Sequence, residues 1–166
     1  MNKAFTLIET LVAISVLLLS LAGPLSIAAQ ALQGAYYARD QVTASYLAQE
    51  AVEYVRAIRD QNYLANPVAP WLTGIDDPDT GCVSVGCTVD FPNFSHERCS
   101  GACAPILLGV ASDLYNHEDG AVTPFTRTLT LIPVNAGEVS VQVTVSWHSA
   151  GIDRSFRITE QLFDWL

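Results

Sequence analysis

From Thr10 to Ala29 the chain carries no charged residue. About 20 apolar residues are what a helix needs to cross the hydrocarbon of a bilayer, so this run predicts a membrane-spanning helix. Beyond Gln30 the pattern becomes amphipathic. Leu47, Ala51, Val55 and Ile58 recur at steps of four and three, with Tyr54 alongside, which predicts a helix laying one face on a sheet. Asp40, Glu50, Glu53, Arg56, Arg59 and Asp60 read as its solvated side, with Glu53–Arg56 and Arg56–Asp60 at helical-neighbour spacing. The helix is expected to end near Asn62, because Asn66-Pro67 and Pro70 follow. Gly23-Pro24 interrupts the apolar run; a mid-helix proline removes a backbone bond and clashes with the preceding turn, so a kink or a melted turn is expected there.

The pattern changes period in the last third. Phe125 to Ile132 alternates, Val139, Val141, Val143, Val145 and Trp147 alternate strictly, and Phe156, Ile158 and Leu162 continue the theme. Asn135-Ala136-Gly137 and Ser149-Ala150-Gly151 punctuate these runs as hairpin turns. Three antiparallel strands are predicted, with an apolar face able to cover Leu47 to Ile58. Residues Asn66 to Pro124 are rich in Pro, Gly, Asp, Asn and Ser and read as loops with short strands. The fold class is therefore α+β: a long N-terminal helix, half membrane-spanning and half amphipathic, packed on a C-terminal antiparallel sheet.

Composition adds compartment and excludes some partners. At 166 residues there is room for one ordinary domain and a stalk. All the acidic residues but Glu9 and all the basic ones but Lys3 lie beyond Gln30, so the head carries the whole net charge of −9. Such a head is a poor match for a phosphate backbone, and no nucleic-acid partner is expected. Cys82, Cys87, Cys99 and Cys103 are even in number and close together, which predicts two short-loop disulfides in an oxidising compartment, with pairing open. Their spacing also resembles a zinc knuckle, with His96 and His117 nearby. Val83 and Val85 around Ser84 suit a small hairpin clipped between Cys82 and Cys87. Asp76, Asp77 and Asp79 form one acidic cluster, and Asn116, Glu118 and Asp119 another. Oxygen-rich loops suit calcium, but neither follows the helix-loop-helix spacing, and turn-forming Asp and Asn explain both; no metal or cofactor is expected.

The start of the chain is the specific part. Lys3 precedes the apolar run and Glu9 sits at its edge, where a carboxylate near hydrocarbon is costly and ordinarily has a partner or a role. A cleavable secretory signal, with Ser26, Ile27 and Ala28 as its exit, leaves Glu9 unexplained. So does an ordinary single-pass anchor. The run Lys3-Ala4-Phe5-Thr6-Leu7-Ile8-Glu9-Thr10-Leu11-Val12-Ala13 resembles the class III signal of type IV prepilins and type II secretion pseudopilins. That resemblance implies cleavage by a prepilin peptidase between Ala4 and Phe5, N-methylation of the new Phe5 amine, and Glu9 as assembly carboxylate. It departs from the family at Ala4, where glycine is usual; Ala is small enough that processing is still expected. The implied division is 1–4 leader, 5–30 transmembrane and assembly half of the helix, 31–64 amphipathic half, 65–124 cysteine-containing loops and 125–166 sheet. In that family the Gly23-Pro24 region often loosens on assembly.

Without the family, the charges make sense together. Cleavage after Ala4 leaves an ammonium on Phe5, and axially offset helices can set it against the Glu9 carboxylate of a neighbour, a pairing that fixes register more than it adds stability. The segment Ala48-Gln49-Glu50-Ala51-Val52-Glu53-Tyr54-Val55-Arg56 and the ending Val145-Ser146-Trp147 are similar to minor pilins of the pilus-modification type and to minor pseudopilin I. The resemblance implies a minor pilin that primes assembly or displays a tip surface for adhesion or uptake, or alternatively a pseudopilin of type II secretion. Its implied partners are other pilins or pseudopilins through the helix, the prepilin peptidase and the inner membrane. The implied location is single-pass in that membrane with the head outside the cytoplasm, then in the filament. From another class, a membrane-anchored binding or enzymatic domain predicts an uncut terminus or cleavage near Ala28. Ser95-His96-Glu97 and His117-Glu118-Asp119 place acid beside histidine without forming a triad, and His148 reads as a surface residue; no enzyme is expected.

Overall fold

The computed structural model describes residues 6–164. One helix, α1 (Leu7–Ala65), passes through two compact units, Met1–Asp40 and Gln41–Leu166. Gly23 and Pro24 lie within the unbroken helix, which corrects the expectation of a melted turn. The helical turns on either side each add a backbone bond per residue fixed, and that outweighs the one bond proline cannot make. The helix ends three residues beyond Asn62: the Asn66 amide still donates to the Asn62 carbonyl at 2.9 Å, and Pro67 restricts Asn66 rather than the residues before it.

In the second unit seven described strands make one sheet: β1 (Cys87–Asp90), β2 (Ser95–Arg98), β3 (Pro105–Leu108), β4 (Tyr115–Asn116), β5 (Ala121–Asn135), β6 (Glu138–Ser149) and β7 (Ile152–Phe163). Strand β5 is its spine. On one edge it pairs with β6, which pairs with β7; on the other it pairs with β3 near its start and with β1 at Leu129. Strands β4 and β2 lie outside β3 and β1, and every named pairing is antiparallel. The β6–β7 turn places Ala150 and Gly151 at φ of 52° and 78°, the mirror-image geometry that matches strand twist in a two-residue hairpin.

The predicted helix face is the buried one. Ala44, Leu47, Ala48, Ala51, Val52, Tyr54, Val55 and Ile58 pack with Leu129, Leu131, Val141, Val143, Val145 and Trp147 of the sheet, together with Trp71 and Ile75 from the segment after the helix. Two residues assigned to the solvated side are not there. Asp40 is buried, with its carboxylate 3.0 Å from Arg39, and Glu50 turns toward the sheet. The Arg56–Asp60 pair does not form: Arg56 meets Glu53 at 2.5 Å and also Glu160 of β7, while Asp60 pairs with Arg59 at 2.9 Å.

Candidate functional site

Every residue from Thr6 to Arg39 is exposed, including Leu7, Leu11, Leu18, Leu19, Leu25 and Ile27 around the full circumference of the helix. Soluble monomers rarely show contiguous apolar patches beyond a few hundred Å². A helix that is apolar all round belongs in a core or in lipid, and this one is long and apolar enough to cross a membrane. Its polar side chains fit that medium. Thr10, Ser15 and Ser20 donate their hydroxyls to the carbonyls of Leu7, Leu11 and Leu17, each at 2.8 Å, and the Gln30 amide donates to Ser26 at 3.5 Å. Polar groups in hydrocarbon need such internal partners.

Thr6 caps the helix. The Glu9 amide donates to Thr6 Oγ1 at 3.3 Å, and Glu9 stands in the first turn, where a carboxylate faces the positive end of the helix dipole. Threonine followed three residues later by glutamate is also the capping-box spacing. The Glu9 carboxylate is therefore at an exposed helix entrance with no described acid or base beside it in the chain. Ala4 and Phe5, the two residues of the expected cleavage point, lie outside the described residues.

The cysteines form two disulfides, Cys82–Cys87 and Cys99–Cys103, with Cα–Cα separations of 5.4 and 5.0 Å, which removes the zinc-knuckle alternative. The loop between Cys82 and Cys87 is not a self-paired hairpin. Val83 bridges Leu131 in parallel and Cys87 meets Leu129 antiparallel, so both arms lie along the edge of β5. Leu131 supplies the reason, since its amide and carbonyl bond Cys82 and Ser84, each at 2.8 Å.

The acidic loops are turn caps. Asp77 Oδ1 accepts from the amides of Asp79 and Thr80 and from the Thr80 hydroxyl, which holds its carboxyl below the usual range. Asn116 Oδ1 accepts from the amides of Glu118 and Asp119. No group of three His, Cys, Asp or Glu side chains suited to a metal occurs among the described residues. His96 and His117 find partners other than the acids beside them in sequence: His96 Nδ1 meets the Tyr54 hydroxyl at 2.9 Å and the His117 amide donates to Asp90 Oδ2 at 2.8 Å, while His148 forms an exposed pair with Asp153 at 2.8 Å. Burial pushes the Tyr54 hydroxyl up to about 12, so it remains protonated beside His96.

The feature that sequence reasoning missed is Arg127, wholly buried between helix and sheet. Its guanidinium donates to the Leu47 carbonyl of α1 at 2.9 Å and to the Val89 carbonyl of β1 at 2.5 Å, and lies 3.4 Å from Glu50. Burial raises the Glu50 carboxyl, opposed by the adjacent Arg127 charge. The signal was present: Arg127 shares its parity with Phe125, Leu129 and Leu131, the inward positions of β5.

Residues 1–23 match the family model described as the prokaryotic N-terminal methylation motif. No curated protein and no solved structure matches the chain. The motif and the α+β arrangement of helix and antiparallel sheet are consistent with a type IV pilin-like protein, and the motif and the apolar helix support membrane anchoring.

Proposed function

We propose that the chain is a minor pilin, a structural and non-enzymatic subunit that is held in the inner membrane by α1 and then drawn into a type IV pilus. The observation that carries this reading is the fully exposed apolar helix beginning at a methylation motif: a bare anchor needs the first, and only a filament subunit needs both. In this reading a prepilin peptidase cuts between Ala4 and Phe5, the Phe5 amine is methylated, and Glu9 of one subunit neutralises the Phe5 ammonium of another. Other pilins are the partners, through the helix. The head, whose acidic loops are spent on their own turns, serves to prime assembly or to present a tip surface.

Mass spectrometry of the mature N-terminus tests it. A chain beginning with N-methylated Phe5 is expected. A chain beginning with Met1, or cut near Ala28, overturns it.

A further inference from the structure

Two adjacent tyrosines and an arginine follow the apolar run. Tyr36 is 50% exposed and Tyr37 37% exposed, and the Arg39 guanidinium lies over the Tyr36 ring, 5.5 Å from its centroid. Arg39 also bonds Asp40 at 3.0 Å, so the cation is already balanced by its neighbour. Tyrosine has an apolar body and a polar tip, and such residues collect where hydrocarbon meets water. Their position along the helix is the second observation. Tyr36 lies 27 residues beyond Glu9 on one continuous helix. At 1.5 Å per residue that separation is about 40 Å, close to the thickness of a bilayer with its headgroups, roughly 40 to 45 Å.

We propose that Tyr36, Tyr37 and Arg39 are a headgroup-layer anchor that sets the depth of the helix before assembly, with Glu9 in the opposite headgroup layer. This rests on the membrane-anchored reading and adds to it a partner, the phospholipid headgroup region, and a register. Two consequences follow. The Glu9 carboxylate is hydrated in the unassembled protein and enters an apolar environment only on leaving the bilayer. And because Asp40 balances Arg39, the anchor acts through amphipathic fit rather than through attraction to anionic lipid, so depth is the same in zwitterionic and anionic membranes.

The test uses the full chain in phosphatidylcholine vesicles, with and without phosphatidylglycerol, carrying single cysteines at Ala29, Gln33 or Ala38. The native cysteines are all in disulfides and do not compete for a membrane-impermeant maleimide. Labelling at Ala38→Cys is expected to be about tenfold faster than at Ala29→Cys, a ratio equivalent to about 1.4 kcal/mol of protection. In a Tyr36→Ser, Tyr37→Ser, Arg39→Ser background the rate at Gln33→Cys is expected to change severalfold while vesicle flotation persists. An unchanged labelling profile in that background, or a step that moves with the phosphatidylglycerol content, overturns the anchor and leaves the membrane reading standing. Failure of the parent chain to float with either vesicle overturns that underlying reading and the anchor with it.

Discussion

Arg127 occupies a position that pleating assigns to the core and that its charge opposes. Phe125, Leu129 and Leu131 point inward from β5, and Arg127 must point with them. An isolated cation there would cost several kcal/mol, so the surroundings answer it with two carbonyls and the Glu50 carboxylate, while Asp90 contributes at longer range. The pair ties α1 to β1 and β5, and removing one member leaves the other uncompensated. Arg127→Met is therefore expected to lower unfolding stability by about 3 kcal/mol. Adding Glu50→Gln to that variant should cost less than the same change in the parent, with a coupling on the order of 1 kcal/mol. Urea denaturation of the four proteins reads this directly. Strictly additive losses would mean that Glu50 and Arg127 do not answer each other's charge.

At the scale of elements, α1 and the β5–β6–β7 meander were legible because each repeats its period long enough to exclude the alternative: Leu47 to Ile58 at helical steps, Val139 to Trp147 at every second residue. Strands β1 to β4 have two to four residues each, too short for a period to declare itself, and they exist through pairing with β5 and one another. The two arms of the Cys82–Cys87 loop illustrate the limit, since what places them is the backbone of Leu131, far along the chain. Charge roles were misjudged for the same reason: Glu50 looks solvated until a buried arginine arrives from β5. Short elements are also where pH acts. His96 of β2, bonded to Tyr54 of α1, is held below its ordinary value by burial, with a backbone bond at Gly74 opposing. His117, just after β4, is lowered by burial and then by Arg127, with Asp90 and Glu97 opposing. Both folded-state values lie under the ordinary 6.5, so below that pH the unfolded chain binds more protons than the folded one. The stability they contribute is complete above pH 6.5 and is lost as pH falls. Glu50, raised in the fold, gives the opposite slope above its ordinary 4.5, so the parent alone does not isolate the histidines. Thermal melts across this range should show the parent losing more stability on acidification than His96→Gln, His117→Gln. Equal slopes would remove the histidines from the account.

For the whole molecule the deciding residue is Glu9. Two roles compete at its position, and they differ in whether charge matters. As part of the helix entrance, the side chain stands at the capping-box position three residues beyond Thr6, which glutamine fills as well as glutamate does. As the proposed partner of a Phe5 ammonium on a neighbouring subunit, it is the only acidic residue before Asp40, and so the only one available in the apolar half. Glu9→Ala removes both roles; Glu9→Gln keeps size and hydrogen bonding and removes only the charge. Neither touches the uncharged run from Thr10 to Ala29, so both variants should stay in the membrane fraction at the parent level. Both should fall by about tenfold or more in filaments sheared from cells and purified, since a lost interaction of 1.4 kcal/mol per subunit already has that effect. If Glu9→Gln assembles like the parent while Glu9→Ala does not, the side chain serves the helix entrance and the charge pairing is wrong. If both assemble normally, the register of the filament is set elsewhere, and the exposed apolar helix alone carries subunit association.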